Sequence, residues 1–420
     1  VKPFFLLLAS ALITSAARAE DDFKPNYDEA AVPAYRLPDP LVFENGLPVK
    51  DADDWEKRRA EILALFGTHI YGHTPTTGEV GITHEKRKSI DFLAGKAVLE
   101  EIRISVTNKQ ARTRHIDLLL IKPKAPEGTA FRTFLTINFL GNHTLHPSPD
   151  ISLPESWQSQ QPDGIVVNHR ATEKGRGYSA AGWPIETIID SGIAFASVCY
   201  HDIEPDSPEH YGESVRAFFD KPEADGWGSI GAWAWGLSRA MDYIVTDPQI
   251  DAKRVAVMGH SRLGKAALWA AAQDQRFALA ISNNSGCGGA ALSRRAFGET
   301  VQRINQGFPY WFCRNFHQYN NNESALPVDQ HQLISLIAPR MIHVASAEND
   351  RWADPRGEFL SALHASPVWK LHGLKGIEAA EMPPIHQPTG DRVRYHIRAG
   401  EHDVTEYDWK QYIDSLLMVP

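Results

Sequence analysis

Arg254-Val-Ala-Val-Met-Gly-His-Ser-Arg-Leu-Gly-Lys265 decides how the rest of the chain folds. Its apolar, β-branched start climbs to Gly259, Ser261 follows two residues later, and small helix-favouring residues run on through Ala266-Ala-Leu-Trp-Ala-Ala-Ala272. That pattern predicts a strand, a sharp turn with Ser261 at its tip, and a helix behind it: the layout of a nucleophile elbow. Glycine suits position 259 because a larger side chain in so tight a turn would collide with the neighbouring strand or helix. The turn also sets the Ser261 hydroxyl at a helix N-terminus, where free N–H groups and the dipole favour developing negative charge. The pattern is irregular in one respect. A second glycine is expected at 263 and falls instead at Gly264.

Outward from this turn, buried-strand runs lie at 133–139, 193–200, 254–258, 277–283, 340–345 and 393–399. Helical runs lie between them and beyond, at 230–246, 262–273, 328–338, 356–363 and 406–417. Earlier in the chain, Asp53 to Phe66 carries an acidic cap and an apolar stripe, so it predicts a surface helix. Alternating runs at 97–106 and 114–123, with Thr107-Asn-Lys-Gln110 between them, predict an antiparallel hairpin. A hairpin leading into βαβ units implies an α/β-hydrolase fold, a three-layer αβα sandwich on a mostly parallel central sheet. About fifty residues separate Phe139 from Ile193, and about as many separate Asn283 from Arg340, so both stretches read as insertions over the carboxyl ends of the strands.

The first residues have the layout of a secretory signal: Lys2, an apolar core from Phe4 to Ile13, and a small-x-small site at Ala17-Arg18-Ala19. Residues 1–19 are therefore expected to be cleaved, leaving an exported chain that is secreted or periplasmic. Residues 20–420 are read as one catalytic domain, whose Pro-rich, aperiodic start to about residue 50 forms an extended arm. A net charge of −9 without basic blocks argues against nucleic acid and anionic membranes as partners. No later run approaches the ~20 apolar residues of a transmembrane helix, and a monomer is expected. Three cysteines, Cys199, Cys287 and Cys313, allow one bridge at most. Three buried thiols are preferred over a Cys287–Cys313 pair. Several of the eleven tryptophans (Trp157, Trp183, Trp227, Trp311, Trp352) lie among Gly, Pro and His, as loop residues do. Such rings serve as sugar platforms or as loop packing.

A serine at such a turn needs a base, and the base an orienting carboxylate, in the chain order Ser, acid, His. His402 follows the last predicted strand and precedes the final helix, whereas His396 lies inside that strand and His386 in a Pro-rich loop. The acid should follow the preceding strand, where Asp350 is selected, with Glu348 and Asp354 as alternatives. Asp354 reads better as the cap of the helix beginning near Pro355. Neither His-Glu-x-x-His nor Cys-x-x-Cys occurs, so no metal and no organic cofactor are expected.

Four segments together resemble the glucuronoyl esterases of carbohydrate esterase family 15, in particular bacterial members: Gly259-His-Ser-Arg-Leu-Gly-Lys265, Asn283-Asn-Ser-Gly-Cys-Gly-Gly289, Leu326-Pro-Val-Asp329 with Ala338-Pro-Arg340, and Arg398-Ala-Gly-Glu-His-Asp403. The likeness runs over roughly residues 130–415. It implies an enzyme cleaving the ester between 4-O-methyl-glucuronic acid side groups of xylan and lignin alcohols. It further implies Ser261 as nucleophile, His402 as base and Arg262 as an oxyanion donor. Lys265, Glu299 and Trp352 would bind the sugar. Residue spacing supports Lys265 independently, since i and i+4 share a helix face, although a solvated lysine fits as well. Glu299 has no such support and also fits a solvated helix glutamate. One departure concerns Asn284, which stands where many members carry a glutamate as the triad acid. A neutral amide cannot stabilise an imidazolium as a carboxylate does, so Asn284 is read as a hydrogen-bonding support. Asp350 occupies the place some bacterial members use instead.

Overall fold

In the computed structural model, which describes residues 23–219 and 223–420, the quoted stretch runs up the interior of a ten-stranded sheet. The leader expected over residues 1–19 lies outside the described residues. Beyond the arm, α1 (Ala52–Phe66) starts at Asp51, whose carboxylate accepts from the Asp54 amide at 2.9 Å. Three antiparallel strands follow, β1 (Gly81–Phe92), β2 (Ala97–Thr107) and β3 (Thr113–Pro123), and then β4 (Phe131–Asn138). The first insertion carries a small hairpin, β5 (Val166–Val167) with β6 (Arg170–Ala171), and α2 (Ile185–Asp190). After β7 (Ala194–Cys199) come the single turn α3 (Tyr200–Ile203), the long α4 (Ser229–Ile244), β8 (Ile250–His260), α5 (Arg262–Gln273) and β9 (Leu279–Asn283). The second insertion holds α6 (Val301–Gly307) and α7 (Gln330–Ser335) ahead of β10 (Met341–Ala347). The chain closes with α8 (Pro355–Ala365), α9 (Pro367–Leu371), β11 (Thr389–Gly390), β12 (Val393–Arg398) and α10 (Glu406–Met418).

The strand order is β1-β2-β3-β7-β4-β8-β9-β10-β12-β11. From β7 to β12 every pairing is parallel, and β1–β3 and β11 add antiparallel edges. Strand side chains alternate between two hydrophobic clusters. Leu135, Val257, Ala280 and Val344 join one; Phe134, Ala256, Ile281 and Ala345 join the other. A strand covered on both faces shows this division because successive side chains point to opposite sides. The first cluster takes its helical cover from Trp55 and Ile62 of α1, Trp233 of α4, Leu268 of α5 and Phe359 of α8. The second takes Ile188 of α2 and Trp409, Tyr412 and Leu416 of α10. The α/β fold with a mostly parallel sheet is therefore the one expected.

Differences from the sequence reading are local. The expected hairpin is joined by β1, whose His84-Glu85-Lys86-Arg87-Lys88 run is largely exposed. As the charged outermost strand it buries too little to show an apolar alternation, and such charges guard an edge against further pairing. The helix expected over 328–338 is only Gln330–Ser335, capped by the Asp329 carboxylate on the Gln330 amide at 2.8 Å. Of the five tryptophans placed in loops, Trp183, Trp227 and Trp311 are buried, whereas Trp352 stays 37% exposed. All three cysteines are buried free thiols. Among the described residues no helix is long and apolar enough to cross a membrane.

Candidate active site

β8 ends at His260 and α5 begins at Arg262, so Ser261 must reverse the chain in a single residue. It does so at φ 58°, ψ −129°, a region that costs a non-glycine residue ~1–3 kcal/mol and needs its surroundings to hold it. The Ser261 amide donates to the Asn283 carbonyl at 2.9 Å, and its own carbonyl accepts from Gly264 at 2.9 Å and Lys265 at 3.2 Å. A Cβ on Gly259 would lie 2.0 Å from the Leu263 carbonyl oxygen, and one on Gly264 would lie 3.0 Å from Ser285 Cβ. The second glycine therefore falls at 264, where α5 crosses the end of β9. Position 263 points into the core, and Leu263 is fully buried there.

His402 and Asp350 stand on the loops after the paired strands β12 and β10. His402 Nδ1 lies 2.6 Å from Asp350 Oδ2. A carboxylate can only accept, so Nδ1 carries a proton, and in the neutral ring Nε2 then holds the lone pair a base requires. Asn284 Nδ2 donates to the same Asp350 oxygen at 2.7 Å, which is the supporting contact read from sequence. Burial pushes the Asp350 carboxyl up, but the hydrogen bond and charge of His402, with Asn284, outweigh it and hold the group below its ordinary value. Of the alternative acids, Glu348 is exposed, and Asp354 caps α8 by accepting from the Gly357 amide at 3.0 Å. His396 is buried and bonded to Asp408 at 2.8 Å. Among the described residues Ser261 Oγ makes no hydrogen bond to His402; such contacts commonly tighten only when substrate is bound.

Arg262 Nη1 donates to Asp206 Oδ2 at 2.5 Å. Asp206 also accepts from Tyr310 Oη and Trp311 Nε1, both at 2.8 Å, and the guanidinium lies 4.6 Å over the Trp311 ring. This cradle fixes one side of the guanidinium and, among the described residues, leaves Nε buried without an acceptor. An unspent, oriented donor directly after Ser261 suits charge that appears only during reaction.

Lys265 is not the solvated lysine its position also allowed. It is 4% exposed, and its Nζ donates to the Ser285 carbonyl at 2.6 Å. Burial lowers its pKa, with the charge of Glu299 opposing. Glu299 lies in the loop just ahead of α6 rather than on a solvated helix. Burial raises its carboxyl, against the pull of Lys265 and Arg262 and a hydrogen bond from Trp352. Its amide donates to the Trp352 carbonyl at 3.0 Å. Lys265, Glu299 and Trp352 are thus one coupled group next to the Ser261 turn. Among the described residues no cluster of three or more His, Cys, Asp or Glu is arranged to hold a metal ion.

Three contributors escaped the sequence reading. Asp206 sits in an irregular loop after α3, with no motif around it. Arg398 opens the segment that ends at His402 and Asp403, where residue order assigns it no role. Its Nη2 donates to the carbonyls of Glu401 at 3.0 Å and Asp403 at 2.5 Å, on either side of His402. Its Nε is tied to Asp408 Oδ2 at 2.7 Å. Glu358, fully buried on α8, accepts from the Ser285 and Gly286 amides at 2.8 and 3.0 Å and so pins the turn that carries Asn284.

Residues 142–373 match the family described as glucuronyl esterase of fungi. A carbohydrate esterase from an unknown prokaryotic organism is 47% identical over 395 residues, 93% of this chain and 90% of that protein. A 4-O-methyl-glucuronoyl methylesterase of Schizophyllum commune is 29% identical over 390 residues, 88% of this chain and 81% of that protein. Among solved structures, a promiscuous CE15 esterase from a marine bacterial metagenome superposes with a TM-score of 0.88 at 45% identity, over 94% of this chain and 100% of that one.

Proposed function

The chain belongs to the glucuronoyl esterases of carbohydrate esterase family 15, carboxylic ester hydrolases, and from that premise we propose that it cleaves the ester between 4-O-methyl-D-glucuronic acid side groups of glucuronoxylan and lignin alcohols by a Ser261–His402–Asp350 mechanism. His402 Nε2 takes the Ser261 proton as Oγ attacks the uronate carbonyl. Asp350 keeps the imidazole oriented and balances its charge. The oxyanion is met by the Arg262 side chain and by the Arg262 and Leu263 amides, which open α5 ahead of its first helical hydrogen bonds; each good donor is worth ~3–4 kcal/mol in the transition state. The imidazolium then protonates the departing alcohol, and water releases the glucuronoyl group by the same route. Lys265 and Glu299 hold sugar hydroxyls, and Trp352 lines the ring. The reaction itself needs neither a metal nor an organic cofactor.

The observation that carries this reading is the Asp350–His402 contact beside a serine held at positive φ. The name of the Schizophyllum commune relative supports the substrate class. Export forms part of the same proposal, supported by the leader pattern over residues 1–19; protein recovered after export should begin at Glu20.

The direct test compares turnover of a methyl 4-O-methyl-glucuronate ester with that of acetylated xylose. The uronate ester should be preferred by about tenfold or more in kcat/KM. Faster acetyl release would make the chain a deacetylase of xylan instead. Ser261→Ala should remove about 10⁴-fold or more of kcat, and unchanged turnover would mean a different nucleophile or a carbohydrate-binding role.

A further inference from the structure

The N-terminal arm, which the sequence places only as an extended surface segment, runs between the two loops that carry Glu299 and Trp352. Its contacts alternate between them. The Asn26 carbonyl accepts from the Gly298 amide at 2.9 Å, one residue before Glu299. The Tyr27 carbonyl accepts from the Arg351 guanidinium, one residue before Trp352. That guanidinium also lies 4.8 Å over the Tyr27 ring, whose edge meets Phe297 at 5.9 Å. Glu29 Oε1 accepts from Arg295 Nη2 at 2.7 Å, and Arg295 in turn holds Asp354 through Nε at 2.7 Å. Phe23 meets the Trp352 ring edge-on at 6.1 Å.

Between themselves the two loops share the buried Arg295–Asp354 pair, with Nε to Oδ2 at 2.7 Å, and the Arg351 guanidinium 5.9 Å over the Phe297 ring; the arm engages both of these links, through Glu29 and through Tyr27. Gly298 sits at φ +63°, where an added Cβ would come within 2.5 Å of the Trp352 carbonyl oxygen, so the backbones cross at van der Waals contact. The Glu299 amide to the Trp352 carbonyl is the backbone hydrogen bond across that crossing. Loops without strand pairing move unless side chains or another segment fasten them. Trp352 is 37% exposed, so its own burial does little to fix its ring.

We infer that the arm segment Phe23–Glu29 is a positioning element for sugar recognition, setting the mutual placement of Glu299 and Trp352 without itself touching the reacting ester. This rests on the assignment of those two residues to uronate binding. The arm's hydrogen bonds and ring contacts fall on residues beside Glu299 and on Trp352 and its neighbour Arg351. Its loss therefore changes affinity for the uronate more than the chemistry at Ser261.

The test is a kinetic split in the full exported chain, using a methyl 4-O-methyl-glucuronate ester and p-nitrophenyl acetate, a small ester with no sugar to recognise. In Phe23→Ala/Tyr27→Ala/Glu29→Ala, KM for the uronate ester should rise about tenfold, with kcat and p-nitrophenyl acetate turnover within about twofold of wild type. Tyr27→Phe keeps the ring between Arg351 and Phe297 and should retain the wild-type KM. An unchanged uronate KM in the folded triple variant, or an equal loss on both esters, overturns the inference. Glu299→Gln separates the two levels of argument. If it raises the uronate KM while the triple variant does not, the arm assignment alone falls. If it leaves uronate kinetics unchanged, the sugar-binding assignment falls, and the arm's role with it.

Discussion

On the side proposed to hold the base, Asp350 and His402 stand a few residues past β10 and β12, which pair in parallel register from Ile342–Val393 to Ala347–Arg398. The Glu348 amide bonds the Arg398 carbonyl at 2.9 Å and the Asn349 amide bonds Gly400 at 3.0 Å, so sheet pairing continues into both catalytic loops. On the side proposed to hold the sugar, Glu299 and Trp352 sit on loops outside the sheet, joined by a backbone bond and the Arg295–Asp354 pair and fastened further by a segment from the far N-terminus. The difference matches what each side must do. Proton transfer tolerates little displacement, so its groups are mounted on the sheet. Recognition of a sugar ring spreads over several contacts, and loops can carry it.

The largest effect that would break this comparison is at the acid. Asp350→Asn keeps the shape but removes the charge that holds His402 in its tautomer, so kcat should drop by about 10²–10⁴. Asn284→Asp should change it little. Equal activity of wild type and Asp350→Asn would remove Asp350 from the mechanism.

A middle-sized effect belongs to Arg398, which supports the base only through the carbonyls around His402. Arg398→Met combined with Asp408→Asn, so that no buried carboxylate is left unpaired, should lower kcat by about 10–100-fold with KM unchanged. It should also shift or broaden the low-field proton resonance of His402 Nδ1. A rise in KM with kcat intact would place Arg398 on the sugar side instead.

The smallest effect is on stability, and it comes from a contrast between two buried carboxyls that share the 284–286 turn. Asp350 is held below its ordinary pKa by His402, whereas burial pushes Glu358 up to about 8, with the charge of Asp350 adding to the rise. A neutral Glu358 still satisfies its neighbours: Oε1 accepts the two amides while Oε2 can donate to Ser346 Oγ, 2.6 Å away. Because the folded pKa stands above the unfolded value of 4.5, the folded state keeps a proton the unfolded state has lost. Stability should therefore fall as pH climbs from about 4.5 to about 8. Glu358→Gln should flatten that part of the Tm-versus-pH curve and raise Tm at its alkaline end. An unaltered slope would show that Glu358 is ionised throughout.

Much of the fold was legible from residue order because its signals are short-range. The strand into Gly259, the turn at Ser261 and the Ala-rich helix follow from adjacent residues, and the places of Asp350 and His402 follow from which strand each one ends. β1 was not legible, because a charged edge strand has no buried face to impose a period. The fates of Lys265 and Glu299 were open, since a lysine or glutamate pattern is the same whether its partner is water or a buried group of the protein.

What the sequence determined by itself is thus the elbow at Ser261, the α/β layering around it and the strand ends after which Asp350 and His402 emerge. All of these depend on local periodicity and chain order. Only the tertiary structure decided that Asp206 would cradle Arg262, that Arg398 would brace the loop of His402, and that Asn26, Tyr27 and Glu29 would bridge the loops of Glu299 and Trp352. Those contacts join residues far apart in the chain or depend on loop paths. Their physical basis is distance in the folded state, which no local pattern encodes.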